Sequence, residues 1–332
     1  MSALDVILIG GGLRGLAEAT RLRRMDGGPA SILVVERNAW PGDNCRTQRT
    51  NGFSCEVGPF AFATDDLAPH FAQLTSQPRI VAAHEEARFG WLCDAAAAPL
   101  APEARQKAKL EPVPHSFPTG CEELVQAYRR ELDGALRLGR AVQSIEPRDT
   151  GDGFEVVLGG EVEARLQSRE LVFATSAVDA GLLLGSWDPQ LANAAQQATS
   201  EERAFVFLGG LQKHAPELHG FGLRTHNRDS GPEADPELVE AIFCSAVFPQ
   251  RAMADRCLVR IECSPGNPDL PDDNALADLM LQRLRDLTGT QAAFPFVKVH
   301  RFRRWRADGA VAECRARLTE LASRVDNLSL AP

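Results

Sequence analysis

An α/β fold built on a parallel sheet and a dinucleotide-type turn is what the sequence predicts, and three observations predict it. The apolar run Leu4 to Ile9 is followed at once by glycines at 10, 12 and 15, and from Leu13 the positions Leu13, Leu16, Ala17 and Thr20 follow helical spacing. A second apolar run, Ile32 to Val35, ends in Glu36. The second half of the chain breaks into short apolar or alternating runs separated by glycine and proline, as an antiparallel sheet requires.

Length and composition set the frame. At 332 residues and 44% hydrophobic content the chain can bury a sizeable core and is expected to form two intertwined domains. Acidic residues outnumber basic ones by 45 to 36, and a net charge of −9 argues against a nucleic-acid partner. The first strand starts within five residues of Met1, which leaves no room for a signal peptide, and no apolar run reaches membrane-spanning length. The expected compartment is the cytoplasm, with no transmembrane segment. Eight cysteines without a CxxC pair fit neither a zinc site nor a disulfide framework, so no metal is expected. In the strand 257 to 263, Cys257, Val259, Ile261 and Cys263 share one face, which makes those two thiols core residues.

Gly10, Gly12 and Gly15 stand in GxGxxG register. That spacing permits a tight turn, close approach of a pyrophosphate to bare backbone and close packing of helix on strand, with phosphates facing the helix N-terminus. Glu36 lies where a dinucleotide fold places its hydrogen bond to the adenosine ribose. An acid at that position repels a 2′-phosphate, which disfavours NADP and leaves FAD and NAD.

The stretch "ERNAWPGDNCRTQRTNGFSCEVGPFAF" resembles the N-terminal signature of the amine oxidase and protoporphyrinogen oxidase superfamily of flavoproteins. The matching residues are Gly42, Arg46 with Thr47, Gly52 with Phe53, and Glu56 with Gly58 and Pro59. The resemblance implies an FAD-type Rossmann domain with a discontinuous, smaller antiparallel-sheet α+β substrate domain. It also implies FAD as the cofactor, held by Gly10, Gly12, Gly15, Glu36, Arg37, Gly42, Arg46 and Thr47, with Gly58 and Pro59 close to the flavin. Physically, an arginine just beyond a glycine turn can neutralise pyrophosphate or meet the flavin edge, and Gly58-Pro59 lets backbone lie flat against a ring. One position departs: the second glycine of the family's pair is Asp43 here, which adds a side chain and a negative charge where phosphate is expected.

Further on, "FPTGCEELVQAYRRELDG" is similar to the family's glycine-led helix. Thr119 and Glu122 are spaced as a capping box, Leu124, Tyr128, Leu132 and Leu136 as a buried stripe, and Gly139 as the end of the helix. Val142 falls where the family presents main-chain groups to adenine, and Ala174 with Thr175 where a strand and turn return to the nucleotide. "GFGLRT", "AIFCSAVFPQRAMADRCLVRIECSPG" and "HRFRRW" resemble substrate-domain strands of protoporphyrinogen oxidases, with Phe248 to Ala252 read as a strand ending at a proline bend. Trp305 then falls at a strand end where the family brings an aromatic to the flavin; core packing is the alternative.

Two family pieces are reduced. Only 57 residues, Ala61 to Phe117, separate the Gly-Pro signature from the glycine-led helix, too few to enclose a porphyrin-sized ligand by themselves. "ARLTELASRVDNLSLAP" stops at Pro332, where the family continues into a glycine-rich turn and a helix facing the flavin. Val311, Cys314, Leu318, Leu321 and Val325 still form an apolar stripe before that point. A shortened chain, a partner protein supplying the missing region and a loss of catalysis all account for it.

No GxSxG elbow, HExxH helix or GxxxxGK[ST] loop is present. Histidines such as His115 and His226 are dispersed and read as surface or capping residues. Lys298, Arg301, Arg303, Arg304 and Arg306 cluster in "KVHRFRRWR", read first as a strand edge blunted by charge and second as an anion-attracting patch. The expected organisation is a nucleotide-binding part over 1–60, a shortened insert over 61–117, a second nucleotide-binding part over 118–190, a substrate-domain sheet over 191–305 and a returning helix and strand over 306–332. The expected function is an FAD-dependent oxidoreductase taking hydride from a hydrophobic amine, porphyrinogen or polyene-like substrate. No catalytic side chain is singled out, because the flavin carries the chemistry. The alternative is a non-catalytic member of the fold serving as a binding or assembly subunit.

Overall fold

A computed structural model of the protein describes residues 3–93, 106–149, 151–160, 163–225, 236–264 and 270–331; His226 and much of the alanine-rich part of the insert lie outside these. The chain begins β1 (Leu4–Ile9), α1 (Leu13–Arg24), β2 (Ile32–Val35) and a hairpin of β3 (Thr47–Thr50) and β4 (Phe53–Glu56). The 61–117 stretch supplies α2 (Thr64–Gln73), β5 (Val81–Ala82), β6 (Phe89–Cys93), β7 (Gln106–Lys109) and β8 (His115–Ser116). Next come α3 (Glu122–Glu131), β9 (Leu136–Arg137), β10 (Val142–Pro147), β11 (Phe154–Leu158), β12 (Ala164–Phe173), α4 (Ala177–Leu183) and α5 (Pro189–Gln197). The remainder is β13 (Ser200–Leu211), β14 (Gly222–Thr225), β15 (Glu237–Phe243), α6 (Cys244–Val247), β16 (Arg256–Ser264), α7 (Asp273–Thr288), β17 (Phe296–Trp305), α8 (Gly309–Arg324) and β18 (Leu328–Leu330).

Two seven-stranded sheets carry the fold. The first runs β10-β11-β12-β1-β2-β9, with β18 also on β12. Its centre is parallel: Ile7 pairs with Leu171 on one side and Leu33 on the other. Strands buried on both faces need continuous apolar runs, and β1 and β2 have them. Ile7, Ile9, Leu33 and Leu171 face α4, α5 and α8, while Val6, Leu8 and Val34 face α1 and α3. The stripe of α8 expected from sequence is there, with Cys314, Leu318 and Leu321 buried in the first of these layers.

The second sheet runs β17-β13-β16-β15-β14-β6-β7. Cys257, Val259, Ile261 and Cys263 point to one face, where Leu276, Met280 and Leu284 of α7 cover them. Phe205, Phe207 and Leu258 point to the other and meet Phe53, Phe60 and Phe248. This second cluster joins the two halves of the molecule, and each fully buried side chain of that size contributes about 1.5–3 kcal/mol.

The second sheet is antiparallel from β17 to β14, as expected, and β6 and β7 from the 61–117 stretch extend it, β14 pairing with β6 in parallel with Leu223 opposite Trp91. Several local expectations are corrected. Thr119 and Glu122 form no capping box. Gly120, at φ +122, holds the chain against Thr47 and Glu56, Cys121 becomes the first cap residue of α3, and Glu122 accepts instead from the Thr47 N–H at 3.2 Å. Gly139 does not end the helix, because α3 stops at Glu131 and Gly134, at φ +76, turns the chain so that Leu136 pairs with Val34. Leu136 therefore belongs to a strand, while Leu124, Tyr128 and Leu132 are buried as expected. Phe248 to Ala252 is no strand end but a helical corner: α6 leads into a 3-10 turn over Pro249–Arg251, which swings Arg251 inward. β17 does lie at a sheet edge, and its Arg301 is tied to Glu202 at 2.9 Å and Asp273 at 2.7 Å.

Candidate functional site

The turn between β1 and α1 is built by close approach. A Cβ on Gly15 would stand 2.0 Å from the Gly10 carbonyl oxygen, and one on Gly10, at φ +108, would meet Ala174 backbone at 2.9 Å. Gly12 differs, since a Cβ there would find only Asp43 at 3.7 Å. Gly12 caps α1 with no side-chain hydrogen bond, and no acidic residue occupies the helix's first turn. The first-turn N–H groups and the positive end of the helix dipole are thus left for an acceptor that is not a side chain.

Glu36 closes the other side. It is 6% exposed, its Oε2 accepts from the Gly11 N–H at 2.8 Å and its Oε1 from the Asn38 N–H at 2.8 Å. Each carboxylate oxygen keeps lone-pair capacity for one further donor, as a ribose diol would supply. Gly42, at φ +94, donates its N–H to the Gly11 carbonyl at 2.6 Å, so the loop after β2 folds back over the glycine turn. Asp43 follows in the left-handed region at φ +53, exposed at the lip.

Two hollows meet at this turn and share Gly10, Glu36, Arg37, Thr175 and Asp179. One, of about 240 Å³, extends between Ile9, Val142, Leu182 and Leu183. The other, of about 450 Å³, runs past Gly12, Gly42, Asp43 and Ala174 to Pro59, Arg303 and Trp305. Together they form one trough with an apolar slot at one end, bare helix N–H groups in the middle and an aromatic wall at the other.

The trough brings together Gly10, Gly12, Glu36, Arg37, Gly42, Pro59, Val142, Ala174 and Trp305. Gly15 lies behind it and serves packing. Arg37 is held by Asp179 at 3.5 Å. Three other candidates stand elsewhere. The Arg46 guanidinium stacks over Trp40 at 4.0 Å, the Thr47 hydroxyl donates to Glu56 at 2.8 Å, and Gly58 fits against Asn44, with its carbonyl accepting from Arg260 at 2.6 Å. Sequence reading missed Arg14, Arg140 and Asp179, and it placed Arg303 only in a basic cluster, not at this site. Arg303 was legible in principle, being two residues before Trp305 and so on the same face of β17.

Glu56 and Arg251, which do not line the trough, are fully buried, with Nε 3.0 Å from Oε1, close in distance but not aligned as a hydrogen bond. Burial raises the Glu56 carboxyl to about 6, against the opposing pull of Arg251, Thr47 and the Cys121 N–H. Burial also holds His300 below its ordinary value, helped by Lys298 and Arg46. Cys45, Cys55, Cys121, Cys244, Cys257, Cys263 and Cys314 are buried and unpaired, and among the described residues no group of His, Cys, Asp and Glu could hold a metal. Nor is any described helix long and apolar enough to cross a membrane.

Residues 8–77 match the family of NAD(P)-binding Rossmann-like domains. Solved structures resemble the whole chain at low identity. A candidate protoporphyrinogen oxidase from Exiguobacterium sp. 255-15 is 15% identical with a TM-score of 0.75, over 99% of this chain and 94% of that one. Cyclohexylamine oxidase from Brevibacterium oxydans IH-35A is 15% identical with a TM-score of 0.70, over 99% and 93%. Putrescine oxidase bound to putrescine is 12% identical with a TM-score of 0.69, over 99% and 93%.

Proposed function

We propose that this chain, which has the fold of the FAD-dependent amine oxidase-like flavoproteins, holds FAD in the trough and oxidises a hydrophobic small molecule by hydride transfer. The carrying observation is the N-terminus of α1, which Gly12 begins with neither a side-chain cap nor a Cβ, set between Glu36 on one side and Trp305 with Pro59 on the other. These residues fit the group: Glu36 has acceptor capacity for the ribose, Val142 and Leu183 line a slot for adenine, and the helix N–H groups suit a pyrophosphate. Bound there, FAD supplies the hydride acceptor. Trp305 and Pro59 present apolar surface that orients a planar ring and excludes water. Arg303 beside them adds positive charge where reduction leaves negative charge. A hydrophobic amine, porphyrinogen or polyene-like molecule is the substrate class this reading carries.

Asp43 favours a second reading, a binding subunit of the same fold without cofactor, because its carboxylate stands at the lip where phosphate would lie. The absorption spectrum of the purified protein separates the two. Flavin bands that persist through gel filtration, or appear on adding FAD, support the first; a colourless protein that takes up no FAD overturns it.

A further inference from the structure

We propose that the apolar cavity between the 61–117 stretch and the second sheet binds a small molecule carrying a carboxylate, anchored by Arg260. The cavity measures about 510 Å³, and Phe60, Phe62, Trp91, Phe221, Leu223 and Ile242 form its apolar wall. Three charged side chains line it. Arg224 and Glu240 neutralise each other at 2.7 Å, with Arg224 largely exposed. Arg260 is left over.

Arg260 is 5% exposed. Its Nη1 donates to the main-chain oxygens of Glu56 at 3.2 Å and Gly58 at 2.6 Å, and its guanidinium lies over Phe205 at 4.5 Å and Phe60 at 5.5 Å. Carbonyls and ring faces orient a cation without cancelling its charge. The nearby carboxylate is already committed: Glu56 pairs with Arg251 and accepts from Thr47 and the Cys121 N–H. Of the two buried arginines near Glu56, only Arg251 pairs with it, and among the described residues Arg260 has no ion-pair partner.

A buried charge left uncompensated is costly, and a planar carboxylate entering an apolar cavity beside a guanidinium offsets that cost through charge-assisted hydrogen bonds. A protonated amine placed there meets repulsion instead. The cation pair Lys298 and Arg256 in the hollow of about 680 Å³ beside Phe296 is the weaker candidate, because both side chains are partly exposed and water can solvate them. Calling the ligand a substrate rests on the hydride reading above; its binding does not.

Isothermal titration of 2-naphthylacetate against the neutral 2-naphthylacetamide tests this on the full chain. The acid is expected to bind at least about tenfold more tightly than the amide. Arg260→Gln should bring the acid down to the affinity of the amide. Ala61→Asp, on the cavity wall and not itself a contact of Arg260, should do the same, with thermal melting reporting the fold. Equal affinities in the unmodified protein overturn the proposal, as does a preference for the acid that survives in either folded variant. The flavin spectrum of the same sample keeps the two readings apart: a colourless protein that prefers the acid upholds the cavity and not the hydride reaction, and a yellow one without the preference does the reverse.

Discussion

Arg251 and Glu56 meet at 3.0 Å in the interior, both essentially inaccessible to water, one from the helical corner between β15 and β16 and the other from the end of β4. The Arg251 Nη2 also donates to the Ser116 hydroxyl at 2.6 Å and its Nη1 to the Phe117 carbonyl at 3.2 Å. Removing one partner strands the other charge. Arg251→Met is expected to destabilise the fold by about 3–5 kcal/mol, measured by urea unfolding.

The same pair sets a pH dependence. Burial raises the folded-state carboxyl of Glu56 from 4.5 to about 6, so the folded state binds its proton more tightly than the unfolded one. The contribution of this residue to stability is therefore greatest below about pH 4.5 and falls as pH rises through 6, by about 2 kcal/mol. Stability curves of the unmodified protein and Glu56→Gln, measured between pH 4 and 7, should differ by that slope; parallel curves would refute it.

Gly12 and Gly15 separate fold from binding. Gly15→Ala drives a methyl into the Gly10 carbonyl and is expected to cost about 3 kcal/mol or more. Gly12→Ala meets open space and extended backbone, at φ −67 and ψ 174, and should change stability by under about 0.5 kcal/mol. Its methyl projects into the trough, so FAD binding, read by fluorescence quenching, should be lost. A Gly12→Ala variant that binds FAD normally would sink the assignment of this turn.

Asp43→Gly removes a carboxylate from the lip of the trough and relieves a left-handed backbone on a residue with a side chain. FAD affinity is expected to rise on the order of fivefold, the factor expected from about 1 kcal/mol of charge repulsion close to the surface. Unchanged affinity would mean that Asp43 points clear of the phosphates.

The glycine turn was legible because its parts are contiguous: strand, glycines, helix, second strand and acid all fall between Leu4 and Glu36, and each imposes a local pattern. Gly58 and Arg260 show what was not. They are 202 positions apart, and nothing in the spacing of "EVGPF" says that an arginine from β16 will grip that carbonyl. Arg46 and Thr47 show the same limit from the other side: the resemblance singled them out, and their side chains stack on Trp40 and donate to Glu56, contacts that no spacing announces. The capping box failed for a related reason: Glu122 matched a local rule, but a tertiary partner, the Thr47 N–H, claimed it.

The chain passes from the first sheet to the second through β6 and β7, returns for β9 to β12, leaves again for β13 to β17 and comes back as β18. Four connections stitch the two sheets like a seam. Neither half can be excised or swapped as a cassette, and rocking one against the other would bend every stitch together. A new ligand preference in such a molecule has to be written side chain by side chain along the seam, where Arg260 already sits.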